Sequence, residues 1–143
     1  MMYFYITFVI DKGKMTLKDI YKRFPRERDC ISFFEHIIWN DKPVCPYCKH
    51  HSYSAMKKED RYHCNNCDTS YSVTVGTIFK KTKIDLRKWL FAIYELNANP
   101  DTSARELAKK IGVTKDSAWL MTKKITRGHL ESKDLLQRII DNL

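Results

Sequence analysis

Apolar positions along the chain change their spacing several times, and each change marks an element. Residues 1–10 (MMYFYITFVI) are almost wholly apolar and give way to Asp-Lys-Gly-Lys. Ten residues are too few to span a bilayer as a helix, which takes about 20. An early basic residue and a small-residue cleavage site, the marks of a secretory signal, are both missing. Met15 stands directly before a helix start, so the expectation is translation from Met15 with the preceding residues incidental; a short edge strand is the rival. From Thr16 the period is helical. Thr16 and Asp19 fit a capping box, Leu17, Ile20, Tyr21 and Phe24 share a face, and Pro25 ends the helix. A second amphipathic run aligns Cys30, Phe33, Phe34, Ile37 and Ile38 and closes at Trp39 and an Asn-Asp-Lys-Pro turn. Cys30 lies on that stripe and reads as a core thiol, and His36, off it, as a surface histidine.

The spacing then becomes that of strands. Residues 53–55 lead into a charged Lys57-Lys58-Glu59-Asp60 turn and residues 61–63 return, a hairpin. Residues 69–75 (TSYSVTV), β-branched and aromatic, predict a third strand closed by Gly76. Helical spacing resumes at Asp85, a cap, with Leu86, Trp89, Leu90, Ile93 and Leu96 on one stripe and Arg87 and Lys88 outside it. Ser103 with Glu106 opens a helix over residues 104–111, Gly112-Val113 supplies a turn, and Thr114 caps a helix running to about Arg127. Leu107, Ala108, Ile111, Val113, Ala118 and Met121 fall where a helix-turn-helix packs, with Ala108 small at the crossing and Gly112 free to turn left-handed. The predicted fold class is small α+β: N-terminal helices, a ribbon of three short antiparallel strands, and a three-helix helix-turn-helix unit. Its expected segments are a leader (1–15), a helical lead (16–41), the ribbon (42–79), the helix-turn-helix (80–128) and a C-terminal segment (129–143).

Composition narrows the function. The 143 residues carry 26 Lys+Arg against 17 Asp+Glu, a net charge of +9, with 43% hydrophobic residues. That suffices for one domain or two small ones with real cores, and excludes a large enzyme, a disordered tail and low-complexity classes. Residues 1–41 hold seven basic and six acidic side chains, residues 42–90 ten and four, and residues 91–143 nine and seven. Most of the excess therefore sits in the middle third, which points to a polyanion. The same stretch holds four of the five cysteines.

Those four form Cys45-Pro-Tyr-Cys48 and Cys64-Asn-Asn-Cys67, two CxxC pairs 15 residues apart. Each pair suits a tight knuckle, and the hairpin between them brings the knuckles to one tetrahedral four-thiolate site. One structural zinc fits best, because it accepts four thiolates and needs no vacant position. An iron centre would use the same ligands. A redox dithiol would leave the second pair unexplained, and two disulfides would need an oxidising compartment. His50, His51 and His63 lie near the cysteines and read as solvated or supporting groups. In the helix-turn-helix the second helix would enter the major groove, offering Lys115, Asp116, Ser117, Leu120, Lys123 and Lys124, with Arg127 beyond and Thr114 at its cap. Lys80, Lys81, Lys83, Arg87 and Lys88 form a basic extension for phosphates. Trp119 reads as a packing residue. An ordinary helical hairpin with a charged face is the alternative.

The order CPYC, CNNC, YSVTVGTIF, LRKWLFAIY and SARELAKKIGVTKDSAW resembles the N-terminal region of bacterial insertion-sequence transposases that carry a zinc ribbon before a catalytic domain. The resemblance runs from about Thr16 to Arg127. It implies zinc on Cys45, Cys48, Cys64 and Cys67 and recognition of double-stranded DNA at the element's ends. It also implies a ribonuclease-H-like catalytic domain, for which the 16 residues after Arg127 leave no room. Residues 135–141 look like the approach to that domain's first Asp, or else a packing helix capped by Ser132; neither Asp134 nor Asp141 is assigned a catalytic role. The expected function is a zinc-dependent DNA-binding module of a transposase without activity of its own. It would act in the bacterial cytoplasm on the nucleoid, as a homodimer or with a second DNA-contacting surface, with no membrane or small-molecule partner. The alternatives are a zinc-ribbon adaptor for protein or RNA, and a truncated transposase that competes with the full enzyme.

Overall fold

The computed structural model describes residues 15–131 and 133–143. The leader assigned to residues 1–15 lies outside them except for Met15, as does Ser132. Six helices and one three-stranded sheet are present among the described residues: α1 (Leu17–Arg23), α2 (Glu27–Trp39), β1 (Tyr53–Met56), β2 (Arg61–Cys64), β3 (Ser70–Tyr71), α3 (Leu86–Ala98), α4 (Ala104–Ile111), α5 (Lys115–Glu131) and α6 (Lys133–Asn142). The small α+β class with an antiparallel ribbon is as the spacing predicts.

Local chemistry sets the helix starts. Thr16 accepts the Asp19 N–H while Asp19 accepts the Thr16 N–H at 2.9 Å, the reciprocal box that its sequence suggests. Asp29 holds the start of α2 by accepting the Arg26 N–H at 2.8 Å. Asp85 caps α3 and Ser103 caps α4, each through a side-chain oxygen. The apolar faces then meet in one core that joins α1 through α6, with Ile20, Phe34, Leu90, Leu107, Met121 and Ile139 fully enclosed. Leu136 and Ile139 bring α6 into it. Arg138 of α6 donates to the Ile37 carbonyl, and Arg23 of α1 to the carbonyls of Leu143 and, at 2.6 Å, Asn142.

The sheet runs β1-β2-β3, antiparallel, with Tyr53 opposite Cys64 and Tyr62 opposite both Ala55 and Tyr71. The third strand is shorter than its sequence suggests. Only Ser70–Tyr71 pairs, and the chain then turns, with Val75 N–H bonding to Ser72 and Thr77 N–H to Thr74. The cause is burial: Val73 and Phe79 leave the ladder and enter the helical core, where Phe79 stacks on Phe34 and meets Trp89 edge-on. Strand propensity here yields to packing.

Candidate metal centre and nucleic-acid interface

The two knuckles fold alike. The Cys45 carbonyl accepts the Lys49 N–H at 2.8 Å and the Cys64 carbonyl the Asp68 N–H at 2.9 Å. Cys45 N–H reaches the His50 carbonyl and Cys64 N–H the Thr69 carbonyl. In both, the residue after the second cysteine is left-handed, Lys49 at φ 64° and Asp68 at φ 58°. The β1–β2 hairpin sets one knuckle beside the other, so the four Sγ atoms lie within 4.8 Å of one another. Cys45–Cys67 is 3.7 Å and Cys48–Cys64 is 3.5 Å. Four thiolates about 2.3 Å from one zinc would stand about 3.8 Å apart, so the donor set fits that ion. Hydrogen bonds from Asn66 Nδ2, at 3.5 Å, and from the His50 backbone favour the Cys48 thiolate and bring its pKa down to about 6. Cys45 and Cys64 are buried, and Cys67 is exposed. Among the described residues, no histidine or carboxylate joins the cluster. His63 instead meets Asp68, and His50 Nδ1 accepts the Ser52 N–H.

Aromatic rings seat this centre on the helices. Trp39, at the end of α2, meets Tyr62 and Tyr71 edge-on, and Tyr62 Oη donates to Glu35 at 2.7 Å. Burial raises the pKa of Glu35. The fully enclosed Tyr71 packs with Cys45 and Cys64, and its hydroxyl has no hydrogen-bond partner among the described residues. Cys30 lies apart from the cluster in the helical core, where burial pushes its thiol up to about 12. It is the core thiol that its stripe suggests.

Helices α4 and α5 meet across Gly112, which takes φ 68° and lets its N–H and that of Val113 both reach the Ala108 carbonyl. Ala118, Met121 and Ile125 turn α5 to the core. The opposite face of α5 therefore carries Asp116, Trp119, Leu120, Lys123 and Arg127, all exposed. Lys115 is exposed and Lys124 half-buried. Thr114 and Ser117 hold the helix start: Thr114 Oγ1 accepts the Ser117 N–H at 3.1 Å and donates to Ser117 Oγ at 2.9 Å. Lys80, Lys81 and Lys83 are exposed. Ile78 crosses α5 so closely that a Cβ on Gly128 would come within 3.0 Å of it, which brings this basic stretch toward α5.

Two residues of the basic extension are tied into the fold. Arg87 pairs with Asp85 at 2.8 Å, donates to the Phe24 and Pro25 carbonyls, and stacks over Tyr21. Lys88 donates to the Gly112 carbonyl at 3.3 Å. Trp119, which reads from sequence as a packing residue, is 53% exposed. The signal is in the spacing, since position 119 falls outside the 118/121/125 stripe. Among the described residues, no helix is long and apolar enough to cross a membrane.

Comparison with known proteins agrees with the motif order. One similar protein is from Halobacterium salinarum, an uncharacterized protein in transposable element ISH50. It is 29% identical over 109 residues, covering 74% of this chain and 37% of the relative. The chain thus spans well under half of that protein's length. No solved structure matches the present chain. Residues 25–70, which include both knuckles, match the family model of the transposase zinc-ribbon domain, as the motifs imply, and the four clustered thiols fit one structural zinc ion.

Proposed function

We propose that this chain is the zinc-stabilised DNA-binding module of a transposase, recognising the ends of its element, with no catalytic step carried by these residues. The observation that carries the reading is the pairing of two parts on one core. A segment matching transposase zinc ribbons is joined to helices α4 and α5, which meet at Gly112, and α5 presents an exposed, partly basic face. Cys45, Cys48, Cys64 and Cys67 would hold the zinc, which supplies cross-linking and no open coordination position. Lys115 and Lys123 would meet phosphates or guanine edges, and Lys80, Lys81 and Lys83 the backbone beside them. Arg87, Lys88, Thr114 and Ser117 would serve chiefly by fixing the geometry, given their partners within the fold, while Lys124 and Arg127 extend the basic surface of α5.

The test is a titration of zinc-loaded protein against labelled duplexes with random central sequence, at several salt concentrations. Binding should weaken linearly in log–log form as salt rises, and Lys123→Ala should lower the slope by about one unit. Absence of binding at low salt would overturn the proposal. Tighter binding to single-stranded RNA than to duplex would favour an RNA adaptor instead.

A further inference from the structure

Resting on that DNA-binding reading, we infer that Trp119 and Leu120 determine its sequence preference by packing against the 5-methyl group of thymine in the major groove. The large hydrophobic residues exposed among the described residues are Tyr47, Tyr53, Trp119 and Leu120, the last two at 53% and 48%. They are consecutive, the fifth and sixth residues of α5, on the face turned away from Ala118 and Met121. The core is complete without them. The early residues of a second helix are those that reach base edges in a helix-turn-helix. Single exposed apolar residues are common and carry no meaning, but here two adjacent ones share a face with lysine. Lys123 Nζ sits 4.3 Å from the centre of the Trp119 ring, so the indole lies beside an ammonium group that suits a polyanion and disfavours an apolar protein partner.

At the helix start Lys115 and Asp116 are exposed, while the two hydroxyl side chains are committed elsewhere. Thr114 and Ser117 hydrogen-bond each other and the helix N-terminus. Trp119 and Leu120 then add apolar contact to whatever Lys115, Asp116 and Lys123 reach, and in the major groove the apolar feature of a base is the thymine methyl. The site would therefore contain at least one thymine whose methyl group matters.

The experiment works without a known target sequence. Duplexes are selected from a random-core pool by the zinc-loaded chain, and the thymines in the selected core are replaced one at a time by deoxyuridine, which lacks only the methyl. One replacement should weaken wild-type binding about fourfold, the factor for one buried methyl-sized group. Trp119→Ala or Leu120→Ala should bind thymine and uracil duplexes equally, with an unchanged salt slope. Replacement in the DNA leaves the protein untouched, so a folding defect cannot mimic the result. If wild type tolerates every replacement, or if both variants keep the thymine preference, the inference is overturned while DNA binding stands. If Trp119→Ala changes only self-association in sedimentation, this face belongs to a second copy and the inference also fails. A wild-type chain that selects no duplex at all would defeat the DNA-binding reading itself.

Discussion

At the scale of single residues, backbone conformation and pairing carry sharper consequences than composition. Gly112 sits at φ 68°, where a Cβ strains the backbone. Gly112→Ala should cost about 1–2 kcal/mol, read as a lower urea midpoint with an unchanged slope. Lys49 has φ 64° without being glycine, so the converse holds there. Lys49→Gly should stabilise the ribbon by about 0.5–1 kcal/mol, and a loss of stability would refute the strain argument. Asp85 gives a pH dependence. The Arg87 side chain and N–H hold its carboxyl below the ordinary value of 3.8. A lowered folded value means the native state binds the proton less readily than the unfolded chain. Its stabilisation is therefore full above 3.8 and is lost as pH falls through the lowered value. Asp85→Asn should retain the cap and flatten the acid limb of a stability–pH curve, lowering stability near neutrality while changing little at low pH, where the Asp85 carboxyl is protonated.

At the scale of elements, the two halves of the molecule rest on different physics. The helices share a continuous apolar core, whereas the buried set of the ribbon is Cys45, Cys64 and Tyr71. So small a core cannot hold three short strands unaided. Chelation, or Cys64→Ser, should thus melt the ribbon while the helical circular dichroism largely survives; an unchanged melting curve would remove zinc from the fold. Tyr62→Phe offers a graded version. It leaves the Glu35 carboxylate without its partner on β2 and should loosen the ribbon by about 1 kcal/mol. How legible each element is follows from the same physics. Caps and turns rest on local rules, so Thr16, Asp85, Ser103, Gly112 and the two CxxC knuckles can be read directly. Residues 69–75 cannot, because local β propensity is blind to Val73 and Phe79 finding a helical core distant in sequence. Arg87 and Lys88 look like free cations for the same reason, since their partners lie at Phe24, Pro25 and Gly112. Trp119 misleads by type: an indole suggests burial, but its angular position on α5 does not.

At the scale of the whole molecule, two basic surfaces ride on one core. Rigid attachment gives each a distinct role. Lys80, Lys81 and Lys83 are exposed on a turn segment, and on the proposed DNA-binding reading they serve phosphate contacts. On the same reading α5 carries the readout face, where Trp119 and Leu120 stand beside Lys123. Replacing all three turn lysines by alanine should therefore reduce the slope of log affinity against log salt by about 2.7 units, about 0.9 for each phosphate no longer neutralised. The base preference of the selected sites should stay the same. Lys123→Ala should remove only about one unit. If the triple variant instead shifts the preferred sequence, the turn reaches bases and the division of labour is wrong. If it leaves the slope intact, the charge excess of the middle third serves some partner other than the duplex. The opposite pattern belongs to α5, where losing Trp119 or Leu120 should change which sequence is bound and leave the slope unmoved. Slope thus reports chiefly on the turn lysines and preference on Trp119 and Leu120, and a molecule in which both surfaces engage one duplex should show both signatures.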